Sequence, residues 1–149
     1  MCIRDSTLSA VQAGVSAELI GVGSGAMAMT IDYLKQRKQF GATIGSFQAL
    51  QHRAAHLYSE MEVARAATLK AQQLLDGDDP TAARAVHIAK AMAGLATTLS
   101  VQEGVQMHGG IGMTDAYDIG FYMKRQRVLG ELFGDTDYHA EQLARLTGY

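Results

Sequence analysis

Arg37, Phe40 and Gln48 gather around the turn Gly41-Ala42-Thr43-Ile44-Gly45, and Gln106 stands just before a second glycine cluster, Gly109, Gly110 and Gly112. A guanidinium can give a phosphate two parallel hydrogen bonds, and a side-chain amide can both donate and accept. Phe40 can cover a flat ring, and glycines let backbone approach a ligand closely. Together they suit a large anionic ligand that carries a ring system. Each member also has a plainer use. Arg37 complements the negative end of a helix dipole, and the glycines can cap a helix and turn the chain. That use does not explain why an aromatic ring follows Arg37 at once. Nor does it explain Gln48 at the start of the next helix, where free N–H groups favour anions.

Two other constellations lack the context their chemistry needs. Gly21-Val22-Gly23-Ser24-Gly25-Ala26 has the look of a dinucleotide fingerprint, but no strand precedes it and a helical apolar period runs through it unbroken. These glycines are expected to serve close helix packing. His52 and His56 lie four apart with Glu60 one turn on, a spacing able to bring two imidazoles to a metal. Arg53 between them opposes that use, and the sequence has no Glu-x-x-His pair for a di-iron centre. Solvated histidines and no metal are expected.

The elements that position these groups follow from periodicity. Phe47, Leu50, Ala54, Leu57, Met61, Ala64 and Thr68 draw one stripe down a helix over 47–75, with Ser46 as its N-cap and Gly77 at its end. His52, Arg53, His56, Glu60 and Lys70 occupy the opposite face. Val11, Val15, Ile20, Met27, Ile31 and Leu34 place an earlier helix over most of 7–39. Pro80 suits a first helical position, opening a helix over 81–107 through Val86, Ala89, Met92, Ala96 and Leu99. Its alanines and Gly94 make it the central helix. Tyr117 to Leu132 forms a fourth helix, and Asp135 caps a short last one ending near Leu146. The expected fold is all-α: an up-down bundle of four long antiparallel helices with a short extra C-terminal helix.

Composition narrows the function. A chain of 149 residues with net charge −2 and pI near 6.2 has no basic face for nucleic acid or anionic lipid. Cys2 is the single cysteine, so neither an intramolecular disulfide nor a cysteine zinc site can form, which fits a reducing, cytoplasmic setting. The opening residues lack a signal-peptide core, and no run of about twenty apolar residues is read along the chain. No membrane insertion is expected.

At Tyr33 to Gly41, Ile44 to Ala55, Ala89-Lys90 and Gln106 to Gly112, the chain resembles the C-terminal helical domain of the acyl-CoA dehydrogenases. The likeness runs from about Leu8 onward and leaves residues 1–6 as an unassigned leader. It implies FAD bound across a subunit interface, usually belonging to a neighbouring protomer. Arg37 would meet the pyrophosphate and Phe40 the nucleotide. Gln48, Gln106, Gly109 and Gly110 would complete the adenosine side. It also implies an acyl-CoA substrate, a homo- or hetero-oligomer (dimer or tetramer) and an electron-accepting flavoprotein or other oxidant. Such proteins carry two further domains, so the chain is expected to be a fragment of a longer protein.

One part of the family's pattern is missing. Desaturation needs a carboxylate to take the acyl α-proton. The two positions at which the family places that base hold Val11 and Phe133 here. Glu18, Glu131, Asp135 and Asp137 are the nearby acids, with Asp135 the candidate for a displaced base and helix capping its plainer role. Phe121 to Arg127 and Leu132 to His139 look most like subunits that pair with a base-bearing partner, often for steroid side chains or other bulky acyl groups. The alternative is a non-catalytic helical scaffold or oligomerisation module that retains the fold.

Overall fold

The computed structural model describes residues 3–149, with side chains from residue 5. Met1 and Cys2 lie outside the described residues. Five α-helices carry the fold: α1 Ile3–Gln36, α2 Gln48–Asp76, α3 Ala82–His108, α4 Ile119–Glu131 and α5 Thr136–Thr147. A hairpin of two short strands, β1 Lys38–Gln39 and β2 Ala42–Thr43, links α1 to α2 and is followed by a 3-10 turn at Ile44–Ser46.

The central pair is α1 with α3, and the two run parallel. Ala13 packs near Val86 and Ala89, Thr97 Oγ1 donates to the Leu19 carbonyl at 2.9 Å, and Ser100 Oγ to that of Gly23 at 2.9 Å. Further along, Tyr33 stacks on His108. Helix α2 runs antiparallel to both, from Leu57 beside Leu34 to Ala71 beside Ala13. Of the three α1 glycines expected to serve close packing, two do: a Cβ on Gly23 would meet Met61 at 2.8 Å and one on Gly25 would meet Tyr122 at 2.7 Å. Gly21 faces open space and needs no such account.

The fourth column of the bundle comes in two pieces. Helix α4, with 13 residues, is far shorter than the 34-residue α1, and it lies along α3 from Gly104 past Thr98 to Lys90. Helix α5 continues along α3 with Thr136 under Gly94 and His139 beside His87. The up-down all-α architecture stands as expected, with α4 as the fourth helix and α5, capped by Asp135, as the short extra C-terminal one.

Local chemistry moved several boundaries. Helix α1 begins at Ile3, within the expected leader, and stops at Gln36 because the chain turns into the hairpin. Val11 is 37% exposed rather than on the core stripe. Ser46 does not cap α2; its hydroxyl donates to the Thr43 carbonyl, and Phe47 stands at the N-cap without a side-chain bond. Pro80 precedes α3 instead of opening it, and Asp79 organises the entry by accepting from the Thr81 N–H at 2.8 Å. The Thr81 hydroxyl, which donates to the same oxygen, and after it this N–H hold the Asp79 carboxyl below its ordinary range. Finally, α1 is long and apolar enough to cross a membrane by length and composition, against expectation, because its small residues count as mildly apolar. In the bundle Ala13, Val15, Leu19, Ile20 and Ala26 bury its inner side.

Candidate functional site

One end of the bundle collects every residue expected to hold the cofactor. Leu34, Ile44, Leu57 and Met107 pack into one cluster, which brings together the end of α1, the hairpin, the start of α2 and the end of α3. Arg37 sits just past α1, exposed, with no side-chain hydrogen bond or ion pair among the described residues. Phe40 and Gly41 form the hairpin tip at φ 55 and 77. Two consecutive positive φ values match the twist of a two-residue hairpin turn, but a non-glycine residue there costs about 1–2 kcal/mol. Phe40 is 91% exposed and touches only the edge of Phe47.

Across from the hairpin, α3 ends at Gly109, whose φ of 67 and ψ of −144 only glycine adopts readily. A Cβ on Gly110 would meet nothing, whereas one on Gly112 would strike the Val105 carbonyl at 2.8 Å. The cluster therefore divides: Gly112 packs, Gly109 turns the chain, and Gly110 leaves its surface open. Gln48 and Gln106 are exposed, and no side chain caps the first turn of α2. Beneath this surface His108 is 3% exposed, stacked on Tyr33 at 4.5 Å and next to Tyr117. Its Nδ1–H donates to the Gly104 carbonyl at 2.7 Å, and its Nε2 finds no partner. His52 and His56 lie on the exposed face of α2, with Glu60 near His56, and no metal-holding group of side chains occurs among the described residues.

The two expected base positions meet at the other end. Gln12, beside Val11, donates its Nε2–H to the Phe133 carbonyl at 3.1 Å. Phe133 follows the end of α4 at φ 59, with Gly134 at φ 106, and its side chain is 41% exposed. The same carbonyl lies 3.2 Å from His139 Nε2, and Lys90 Nζ donates to the carbonyls of Gly130 at 3.0 Å and Gly134 at 2.8 Å. Lys90 is 1% exposed and His139 fully buried. Burial lowers the Lys90 pKa while Asp135 and Glu131 oppose the shift. His139 is lowered to about 4, first by burial and then by His87 and Lys90. His87, half-buried, is also lowered by burial. The bonds assign the tautomers: His87 Nδ1–H donates to His139 Nδ1 at 2.8 Å, and His139 Nε2–H points to Phe133.

The acids near this end have other partners or open surroundings. Asp135 caps α5, accepting the Tyr138 N–H at 2.7 Å. Glu18 pairs with Arg125, whose Nε lies 2.8 Å away. Glu131, Asp135 and Asp137 line an open cleft of about 250 Å³ with Thr98 and Gln126, which includes neither Val11 nor Phe133. Along α1, Val11 and Gln36 are separated by roughly 38 Å at helical rise, so the two ends serve different places.

The sequence pattern pointed to the exposed end and missed the buried one. Gln12, His87 and His139 carried no signal of their own. Lys90 did carry one, since it falls on the buried stripe of Val86, Ala93 and Thr97, where a cation stands out.

An all-α bundle presents an exposed arginine, a projecting aromatic and a glycine-opened helix end at one of its ends. The chain belongs to the acyl-CoA dehydrogenase family: the model of that family's C-terminal domain matches residues 5–147. It is 39% identical over 132 residues to acyl-CoA dehydrogenase IpdE2 of Mycolicibacterium smegmatis, covering 89% of this chain and 40% of that protein. It is 36% identical over 118 residues to the mitochondrial short/branched chain specific acyl-CoA dehydrogenase of Bos taurus, covering 77% of this chain and 26% of that enzyme. A solved variant of the Tcur3481-Tcur3483 steroid ACAD superposes with TM-score 0.92 at 31% identity, over 96% of this chain and 39% of its own. The chain thus spans between a quarter and two fifths of the relatives it matches.

Proposed function

We propose that this domain supplies the adenosine and pyrophosphate side of an FAD site in an oligomeric acyl-CoA dehydrogenase acting on acyl-CoA thioesters. One observation carries the reading: Arg37, without a side-chain partner among the described residues, and a 91% exposed Phe40 lie at the same end of the bundle as the open Gly110. The groups fit the cofactor. Arg37 would hold the pyrophosphate by charge-assisted bonds, the uncapped start of α2 adds backbone N–H groups, and Phe40 would lie against the nucleotide. Gln48, Gln106, Gly109 and Gly110 would take the adenosine side. Bound FAD supplies the two-electron acceptance that desaturation requires.

The surface is half a pocket, which suits a flavin completed by another protomer. At the far end Val11 and Phe133 offer the acyl group an apolar wall and no proton acceptor. We therefore assign the base to a partner subunit and keep Asp135 as a cap. Electrons would pass to an electron-accepting flavoprotein or another oxidant, in the cytoplasm. The double name of the similar steroid ACAD supports a heteromer and a bulky acyl group.

FAD titration of the whole gene product that carries this chain, alone and with a neighbouring homologue, tests the proposal. Saturable binding that Arg37→Ala weakens tenfold or more supports it. Absence of binding, or an Arg37→Ala protein that binds unchanged, favours the scaffold reading. Asp135→Asn keeps an acceptor for the cap, and turnover that vanishes in that variant would instead make Asp135 the base.

A further inference from the structure

The break between α4 and α5 leaves three backbone carbonyls without helical partners, and the fold answers each with a buried side chain. Gly130 and Gly134 receive Lys90 from α3, while Phe133 receives Gln12 from α1 and His139 from α5. All three donor residues are at least 97% buried. This is more than satisfying carbonyls requires, because a helix end usually achieves that with a left-handed glycine. Here the left-handed residue is Phe133, and the glycine comes one place later. An aromatic residue at φ 59 persists only where its surroundings over-determine it, and such conformations concentrate at functional positions.

The alternatives open to this segment show what the donors control. With its carbonyls unheld, Phe133 would relax toward right-handed φ and continue α4, which swings a side chain by about 100° per residue around the helix axis. The bonds instead fix the ring outward, 41% exposed, with Gln12, the residue after Val11, reaching the carbonyl of the same residue. Gly134 seals the arrangement: a Cβ there would strike the Tyr138 ring. We propose that Lys90, Gln12 and His139 are positioning residues, holding the Leu132–Gly134 connection in the one conformation that turns Phe133 toward the acyl group. The inference rests on the reading that this end of the domain meets acyl-CoA.

Two measurements on the whole gene product with FAD, together with the neighbouring homologue assigned to supply the base, test it. With 4-fluorophenylalanine at position 133, the parent protein gives one sharp fluorine resonance, and Gln12→Leu or Lys90→Met splits or broadens it. The same label at position 40 is unmoved. In turnover with octanoyl-CoA, Gln12→Leu raises KM about tenfold, the loss expected when one anchoring bond goes, while FAD affinity holds within about twofold. His139→Gln, which keeps a donor, restores most of what His139→Leu loses. Lys90→Met removes a buried cation and is the variant most prone to misfold, so Gln12→Leu, which keeps shape and volume, decides. A resonance at 133 that stays single and unshifted in Gln12→Leu overturns the inference. So does a KM rise matched by an equal loss of FAD affinity. A parent complex with that homologue that binds FAD but turns over no acyl-CoA counts against the acyl-CoA reading, and the fluorine result still judges the three donors.

Discussion

The dipeptide Phe-Gly occurs with two consecutive positive φ values at both ends of the molecule, as Phe40-Gly41 and as Phe133-Gly134. The surroundings could hardly differ more. Phe40 tips a hairpin with its ring in solvent and one edge contact to Phe47. Phe133 has its carbonyl held by two buried side chains, with Lys90 gripping the carbonyls on either side. The same local strain is stabilised by pairing geometry in one place and by tertiary hydrogen bonds in the other. An end left bare suits a ligand still to arrive, whereas an end already saturated holds a shape.

Lys90→Met should separate the ends most sharply. It strands two carbonyls and leaves Asp135 and Glu131 without their cation, so thermal unfolding should register a loss of about 3 kcal/mol. Arg37→Ala should leave the melting temperature unchanged. Acid comes next. His139 titrates near 4 in the fold against an ordinary imidazole value of 6.5, so between those values the unfolded chain binds a proton that the folded chain refuses. Stability is full above pH 6.5, falls as pH drops and levels off near 4, a total on the order of 2–3 kcal/mol. Denaturant titrations across that window in His139→Phe should show most of the slope gone. The neighbouring His87, Lys90 and Asp135 shape what remains.

Smaller effects belong to the bare end. Calorimetric FAD titration should find Arg37→Ala weakened by about 2 kcal/mol, the worth of a charge-assisted contact. Phe40→Gly should show opposite signs in two assays. Relief of the left-handed phenylalanine stabilises the cofactor-free protein by about 1 kcal/mol, and loss of the ring weakens FAD by a similar amount. If Phe40→Gly destabilises the free protein instead, the hairpin tip is packed, and the contrast between the ends fails.

The bare end was legible in the sequence because its residues have no structural duty: Arg37, Phe40, Gln48 and Gln106 sit where a bundle would not need them. The buried end was hidden by the same logic. Gln12 and His139 resemble ordinary helical residues, and only their convergence on one carbonyl, 121 and 6 residues away in the chain, gives them meaning. Helix α2's buried stripe emerged with Leu57, Met61, Ala64 and Thr68 in place. The hairpin did not, since two-residue strands leave no periodicity to count. The break between α4 and α5 was legible as a helix end followed by the Asp135 cap, whereas the left-handed Phe133 within it was not. Ser46 misled for a related reason: a hydroxyl near a helix start can be drawn back into the preceding turn.

The parallel seam between α1 and α3 has a mechanical corollary. Thr97 and Ser100 hook α1 carbonyls while Gly23 lies against Thr97 and Met61, too close to admit a methyl group. Sliding one helix past the other would break both hooks and drive side chains into backbone, so the pair behaves as a single beam. The hairpin end and the α4–α5 junction are therefore held at a fixed span, as two fittings on one rod would be. Anything that docks against both must match that span as a rigid gauge, with little give in the domain itself.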